Sequence, residues 1–366
     1  MNIIIFLIIL LVLVIVHEFG HFFTAKKFGI RVDEFGFGFP PKLFGIKKGE
    51  TEYSFNALPF GGFVKIFGEN PDDENTNGPD KDRSFVNKPK WKQAVVLFAG
   101  VFANFLLAWL LFSFGFMSGL PTSVGSEKKG YQLEDVHLTI ISVLAESPAE
   151  KAGLVSGDKI GSIKSGNDIV ADINPDTLKT FIVSHPEKEV EIGYLREGKN
   201  GTQITSVVPT QNIVGGNATI GIAMDEIGVA KLPVFTAFYE GGRLTLTVAK
   251  GTVVGLYTLI KQGVQGKGSF ADVAGPVGMV NIVGEAYRFG FAYLMSFAGL
   301  ISMNLAIINL LPFPALDGGR LFFLLIEKIK GSRMNQNAAN TANAVGFWIL
   351  IILMLLVTYH DITKLL

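Results

Sequence analysis

Cysteine is absent from this chain of 366 residues. The absence excludes disulfide bonds and every metal site with thiolate ligands, so a bound metal ion would need histidine or carboxylate ligands. A surplus of basic charge is also lacking, because 32 basic residues balance 32 acidic ones. We therefore expect no nucleic-acid partner, since binding to a phosphate backbone requires a basic surface.

Charged residues are scarce, at 17% of the chain, whereas soluble proteins average about 25%. Apolar residues make up 49%, and the mean hydropathy is +0.39. The apolar residues are concentrated in four blocks that each reach the roughly 20 residues needed to cross a bilayer. We predict a multi-pass α-helical membrane protein whose transmembrane helices cover residues 1–25, 94–117, 289–319 and 338–360.

The first block has the length of the apolar core of a signal peptide, since residues 3–16 are all apolar. No basic residue precedes this run, and Lys26 and Lys27 follow it. A small-x-small cleavage site is also missing directly after it. We therefore expect an uncleaved span whose N-terminus faces away from the cytoplasm.

Basic residues near the spans indicate which connections face the cytoplasm. They are concentrated between spans one and two and between spans three and four. The first connection has Lys26, Lys27, Arg31, Lys42, Arg83, Lys88, Lys90 and Lys92, and the second has Arg320, Lys328, Lys330 and Arg333. We expect a protein of the cell (cytoplasmic) membrane with both termini, and the long segment between spans two and three, outside the cytoplasm.

The long outer segment has the pattern of an inserted, compact, mostly-β domain over residues 135–226. Short runs rich in β-formers alternate there with Gly, Pro, Asp and Asn turns. Ser147 and Pro148 predict the start of a short helix, which Gly153 would end. Residues 227–288 are predicted to form a linker or amphipathic segment that leads to span three.

The predicted cytoplasmic loop, residues 26–93, is unusually rich in Gly and Phe, as in EFGFGFPPKLFG and LPFGGFVKIFGE. Such a composition suits short strands and turns that lie against a membrane or a groove, so we predict a membrane-associated β region. Residues 70–82 are polar and rich in acidic, Pro, Gly and Asn residues. We expect them to form a flexible connector.

The first span contains the sequence HEFGH at residues 17–21. Two histidines at positions i and i+4 share one helix face, so His17 and His21 can bind one zinc ion. Glu18 lies beside that face, where its carboxylate can take a proton from water. A chance match or helix-capping histidines would be the ordinary explanation, but ionisable residues inside a span are costly and favour a functional site.

A catalytic zinc ion usually takes three protein ligands, so a third is needed. Asp317 is favoured because the predicted topology puts it at the inner end of span three, at the depth of the two histidines. Glu327 is the alternative, deeper on the cytoplasmic side, and Asp317 followed by two glycines could also be an ordinary turn aspartate.

The third span contains Pro312 and Pro314, which interrupt helical hydrogen bonding. Broken backbone at membrane depth is tolerated where it lines a cavity or is buried in protein. Asn309 could donate to a substrate backbone or to a developing oxyanion, or it could join two helices by a hydrogen bond. Asn304 and Asn104 are predicted to join helices.

These motifs together resemble the site-2 protease family of intramembrane zinc metalloproteases, and in particular the bacterial regulator-of-sigma-E protease (RseP/RasP) branch with one PDZ domain. The resemblance extends over nearly the whole chain. Its motifs are HEFGH at 17–21, GFG at 36–38, GGFVKIFGE at 61–69, an AG-x-x-x-N element at Ala99, Gly100 and Asn104, GPVG at 275–278, and N-x-x-P-x-P-x-L-D-G-G from Asn309 to Gly319. The mostly-β domain would be the PDZ-like domain.

The resemblance implies that His17, His21 and Asp317 bind Zn²⁺ and that Glu18 is the catalytic base. It also implies that Gly61, Gly62, Phe63 and Val64 hold the substrate in extended form, which strand addition would explain. Partners would be single-pass membrane proteins, such as anti-sigma factors or remnant signal peptides, with a peptide as a further candidate ligand of the PDZ-like domain. Many relatives have a proline where this chain has Val101, so the local shape of span two could differ.

Two other functions fit parts of the sequence. A membrane-anchored PDZ scaffold without catalysis would not need the HEFGH and Asp317 carboxylates. A transporter would also contain ionisable groups and broken helices. The chain shows no inverted internal repeat, which counts against the transporter.

Overall fold

The computed structural model describes residues 1–70, 72–125, 132–211, 217–266 and 274–365. The chain forms two compact units. The first, the helical unit, comprises Met1–Phe112, Gly241–Val283 and Phe297–Leu366. The second, the β-rich unit, comprises Ser113–Glu240 and Gly284–Ser296.

Ten helices lie in the described ranges. They are α1 (Asn2–Lys27), α2 (Asp73–Asn77), α3 (Lys90–Ser118), α4 (Pro148–Lys151), α5 (Pro175–Ser184), α6 (Val234–Val264), α7 (Pro276–Arg288), α8 (Phe291–Asn309), α9 (Asp317–Lys330) and α10 (Gln336–Leu365). Four of them, α1, α3, α8 and α10, are long and apolar enough to cross a membrane. The prediction of a membrane protein with about four transmembrane helices is confirmed.

The third span ends earlier than its predicted limit at residue 319. Helix α8 stops at Asn309, and α9 begins at Asp317 after an irregular segment. Pro312 and Pro314 explain the break, because proline lacks the backbone N–H that continues a helix. The chain turns tightly here, since a Cβ on Gly318 would lie 2.2 Å from the Leu311 carbonyl oxygen.

The glycine- and phenylalanine-rich loop forms two long antiparallel strands, β1 (Val32–Lys48) and β2 (Thr51–Ile66). The two strands bend back on themselves, so that four segments lie side by side. Residues 62–66 pair with 32–37, residues 34–37 also pair with 52–55 on their other side, and 51–56 pair with 42–48. Among the described residues, 62–66 therefore form an edge with one strand neighbour. Large apolar side chains are exposed towards the far end of the hairpin: Phe39, Leu43, Phe44, Ile46, Phe55 and Leu58.

The predicted flexible connector at 70–82 contains ordered structure in its described part. Asp72 caps α2 by accepting from the Asn75 backbone amide, and the Asn75 side chain accepts from the Asp72 amide. Lys81–Arg83 adds a turn of 3₁₀ helix. The polar composition that suggested flexibility serves here to cap and close short turns.

The β-rich unit contains a sheet of seven strands: β3 (Leu120–Ser123), β4 (Glu134–Val143), β5 (Lys159–Ser165), β6 (Asp168–Ile169), β7 (Val190–Leu195), β8 (Gln203–Val207) and β9 (Ile222–Ala230). Their order is β3-β9-β4-β5-β7-β8, with β6 beside β5. The core under the sheet includes the fully buried Ile140, Ile163, Leu178 and Ile192. The prediction of an inserted, mostly-β domain is therefore confirmed, and α4 begins with the predicted Ser147 cap. The domain keeps the name PDZ-like domain from the predicted resemblance.

Helices α6 and α7 occupy much of the segment expected to be a linker or amphipathic stretch. Within the helical unit, Leu244 and Val248 of α6 pack against the core formed by α3 and α8. The Thr252 hydroxyl donates to the Asn304 side-chain oxygen at 2.7 Å, so Asn304 joins two helices. Asp361 of α10 accepts from the Gly278 backbone amide at 2.8 Å, which ties the GPVG segment to the last helix.

Candidate metal centre and active-site cavity

His17 and His21 lie one turn apart on α1 and are both buried. Their Nε2 atoms are 3.2 Å apart, and the two rings are nearly perpendicular, at 82°. The i, i+4 spacing of the sequence therefore places two imidazole nitrogens at one point beside the helix.

Asp317, the first residue of α9, meets both histidines. Its Oδ2 atom lies 3.0 Å from Nε2 of His17 and 3.3 Å from Nε2 of His21. Among the described residues, these three form the one group of histidines and carboxylates able to share a metal ion.

The three donor atoms have the spacing that a tetrahedral metal ion requires. Ligand atoms bound at 2.0–2.1 Å in tetrahedral geometry lie about 3.3 Å apart. Two imidazoles and one carboxylate also match the ligand chemistry of zinc. The donor set of this chain therefore fits a zinc ion.

Two glycines allow the helices to approach closely at the centre. A Cβ on Gly100 of α3 would lie 2.3 Å from His21 Nε2 and 2.9 Å from His17 Cε1. A Cβ on Gly20 of α1 would lie 2.3 Å from the Ala99 carbonyl oxygen. Any larger residue at either position would displace the histidine rings or separate α1 from α3.

Glu18 opens onto a cavity of about 220 Å³ beside the metal-ligand group. The cavity is lined by Glu18, His21, Phe63, Val64, Ile66, Glu69, Ala315, Asp317 and Arg320. The Val64 backbone lies within reach of the Glu18 carboxylate, so the edge segment of β2 borders the site. Arg320 forms an ion pair with Glu69 and supplies the positive charge among these lining residues.

Comparison with known proteins identifies the chain. The family model described as Peptidase family M50 matches residues 5–353. The chain belongs to peptidase family M50, the site-2 proteases. The predicted resemblance is confirmed, and with it the class of the enzyme and its dependence on zinc.

Relatives of this M50 peptidase match over almost their full length. Zinc metalloprotease RasP of Bacillus licheniformis is 30% identical, with 100% of this chain and 99% of the relative covered. Protease RseP of Yersinia pestis is 29% identical, with 98% of each chain covered. A solved structure of the PDZ domain of an SdrC-like protein from Listeria monocytogenes covers 25% of this chain and 92% of its own, at 21% identity and a TM-score of 0.21.

Glu327, the alternative third ligand, is not part of the metal-ligand group in this M50 peptidase. The Glu327 carboxylate accepts from the Lys90 ammonium group and from the Met334 backbone amide, at 2.9 Å for the amide. Both carboxylate oxygens are therefore already paired within the helical unit.

The predicted substrate-binding residues divide into two groups. Phe63 and Val64 line the cavity, whereas Gly61 and Gly62 are not among its described lining residues. A Cβ on Gly62 would lie 2.8 Å from the Gly36 carbonyl oxygen of β1. Asn309 is the last residue of α8 and is not among the described lining residues.

Sequence reasoning missed the contribution of α3 to the site. His21 Nδ1 lies 2.8 Å from the Val96 carbonyl oxygen, which accepts its hydrogen bond, and Asn104 lies beside His17. A hydrogen bond to a backbone carbonyl cannot be predicted from residue types. The sequence contains the AG-x-x-x-N element, but nothing in that element indicates that it faces the histidines.

The PDZ-like domain has a groove of its own, with a volume of about 570 Å³. One wall comes from α5, through Lys179, Ile182 and Val183, and the rest of the lining comes from residues 142–144 and 217–224. The lining is mainly apolar, which suits a peptide side chain more than a charged small molecule.

Proposed function

We propose that this M50 peptidase hydrolyses peptide bonds within the transmembrane segments of single-span proteins, such as anti-sigma factors or remnant signal peptides, in regulated intramembrane proteolysis. His17, His21 and Asp317 hold the zinc ion in this proposal, and Glu18 is the catalytic base. One observation carries it: the donor atoms of three residues converge beside a cavity that the Glu18 carboxylate also lines.

A zinc ion held by these residues supplies Lewis acidity for hydrolysis. The chain's own contribution to the proton transfers comes from Glu18. Its carboxylate takes a proton from the attacking water and later donates that proton to the leaving amine. The buried imidazoles and Asp317 fix where the reaction takes place.

Substrate binding would use the edge segment of β2. A transmembrane helix must unwind before its peptide bonds are accessible, and an unwound segment can pair with a free strand edge. Residues 62–66 have one strand neighbour among the described residues, and Phe63 and Val64 of this edge line the cavity. Strand addition here would draw an extended substrate past Glu18.

Asn309 has two candidate roles in this proposal. It ends α8 just before the proline-containing break, so its amide could donate to a substrate carbonyl that moves into the broken region. Alternatively, it could join helices, as Asn304 does with Thr252.

The orientation proposed for the membrane follows the basic residues. Both termini and the PDZ-like domain would lie outside the cytoplasm, and the active site would lie towards the cytoplasmic side. The exposed Phe44, Ile46 and Leu43 of the hairpin support its insertion into the lipid boundary.

The PDZ-like domain would act as a size filter or regulator of substrate access. Its apolar groove between α5 and residues 217–224 supports a peptide as its ligand. This assignment is independent of the chemistry at the metal centre.

The decisive experiment is cleavage of a tagged single-span substrate in membranes by wild type and Glu18→Gln. Loss of the base should lower the rate by about 10²–10⁴-fold while zinc stays bound. Glu74→Gln, which changes an exposed carboxylate on α2, is the matched control and should cleave like wild type. Equal cleavage by Glu18→Gln and wild type would remove Glu18 from the mechanism.

A further inference from the structure

One face of α3 forms the back of the metal centre. Val96, Gly100 and Asn104 follow one another at intervals of four residues, so they lie in a row along the helix. Gly100 provides the space that both rings occupy, and the residues on either side of it each meet one histidine.

His21 shows what this row does. Its Nδ1–H donates to the Val96 carbonyl oxygen at 2.8 Å. In the neutral ring this leaves Nε2 without a proton, and Nε2 points towards the other two metal-ligand atoms. A ligating histidine commonly donates its second ring N–H to such an acceptor, which fixes the tautomer and the ring orientation.

His17 needs the same arrangement but meets a side chain instead of a carbonyl. Its Nε2 faces Asp317, so a neutral His17 that ligates through Nε2 carries its proton on Nδ1. The Nδ2 atom of Asn104 lies 3.5 Å from Nδ1. An amide nitrogen cannot accept that proton.

Asn104 also has an unused acceptor. Asn104 is fully buried, and its Oδ1 atom has no hydrogen-bond partner among the described residues. A half-turn of the amide exchanges Oδ1 and Nδ2 without changing the shape of the side chain. That rotation brings an acceptor to the Nδ1–H of His17 and removes the unpaired buried oxygen.

We propose that Asn104 is a positioning residue for the zinc site, whose Oδ1 accepts a hydrogen bond from Nδ1–H of His17. Its backbone is held in place by the Ser302 hydroxyl, which donates to the Asn104 carbonyl at 2.9 Å. Helix α3 thus orients both histidines, through a backbone carbonyl for His21 and a side-chain carbonyl for His17. The inference rests on the proposed ligand set.

The alternative is that Asn104 only joins helices, as other asparagines in spans do. Asn304 provides the comparison, because it is a span asparagine of the same unit that bonds to Thr252. Loss of a purely structural asparagine should weaken packing without a specific effect on metal affinity.

The test measures zinc affinity of the purified full-length protein by competition with a chelator. Asn104→Leu removes the acceptor and should weaken zinc binding about 10- to 100-fold. Asn104→Asp keeps an acceptor oxygen and should remain within about tenfold of wild type. Asn304→Leu is the matched control and should bind zinc like wild type.

Wild-type affinity in Asn104→Leu, or an equal loss in Asn104→Asp and Asn104→Leu, would overturn the role of Asn104. His17→Ala separates this failure from that of the ligand set: if it binds zinc like wild type, His17 is not a ligand. If Asn104→Leu does not fold, NMR of the isotope-labelled, zinc-loaded wild type decides, through the coupling between the His17 Nδ1–H group and the side-chain carbonyl carbon of Asn104. We expect this coupling across the hydrogen bond, and a protonated Nδ1 without it would contradict the proposal.

Discussion

Two aspartates, Asp158 of the β-rich unit and Asp317 of the helical unit, show how differently the two regions use charge. Asp158 of the PDZ-like domain is fully buried, and Arg196 donates to both of its oxygens at 2.6 Å. The Val155 amide donates to it as well, at 2.9 Å. Its negative charge is matched within its own domain, so it stabilises the fold.

Asp317 of the helical unit has no lysine or arginine as an ion-pair partner among the described residues. Its Oδ2 atom instead meets the Nε2 atoms of His17 and His21. A carboxylate and two imidazoles in one place form a ligand set for a divalent metal ion. A paired buried carboxylate is thus structural, whereas one grouped with other metal-binding side chains indicates a site.

The largest effect is expected from filling the space behind the histidines. Gly100→Ala puts a methyl group against both rings, so we expect zinc affinity to fall by about tenfold or more and cleavage to fall with it. Gly255→Ala on α6 is the matched control, because no atom lies within 4 Å of a Cβ at that position. Zinc titration of both variants measures the difference, and equal affinities would show that the close approach is not needed.

A smaller effect is expected from breaking the structural pair. Asp158→Asn removes the charge that Arg196 and the Val155 amide bind, and it should destabilise the PDZ-like domain by about 1–3 kcal/mol. Hydrogen exchange of β5 and β7 in the full-length protein measures this loss. Zinc content should not change. A loss of zinc in this variant would contradict the purely structural role of Asp158.

The smallest effect is expected at Asp135, an exposed carboxylate of the PDZ-like domain. Hydrogen bonding from Lys159, and then from His137, lowers the pKa of Asp135. Because the folded pKa is lowered, the stabilisation is present above the unfolded value near 3.9 and is lost as pH falls through the folded value. Asp135→Asn should cost less than about 1 kcal/mol at neutral pH.

Hydrogen exchange of β4 and β5 at neutral and acidic pH checks this dependence. The difference between wild type and Asp135→Asn should shrink as the pH falls from the unfolded value through the folded value of Asp135, because the wild-type carboxylate then becomes neutral, as the asparagine side chain already is. A difference that stays constant with pH would mean that charge is not its cause.

Much of the site could be predicted from the sequence because its signals are local. The spacing of His17 and His21 is one helical turn, and the charges stand out inside an apolar span. The two prolines before Asp317 likewise predicted a break, although the helix ends at Asn309 and not near residue 319.

The rest depended on contacts between helices, which spacing does not encode. Nothing in the sequence shows that Val96 offers its carbonyl to His21, or that Asn104 and not Asn304 faces His17. Helix α6 was missed because Glu240, Arg243 and Lys250 interrupt its apolar pattern, and packing against α3 and α8 determines its position.

The most direct test of the proposed metal centre is the zinc content of purified Asp317→Ala beside that of Glu327→Ala. Both carboxylates lie on α9, but only Asp317 meets the histidines, whereas Glu327 pairs with Lys90. We predict that Asp317→Ala folds and loses most of its zinc, while Glu327→Ala keeps wild-type occupancy. Full zinc occupancy in Asp317→Ala would contradict the proposed metal centre.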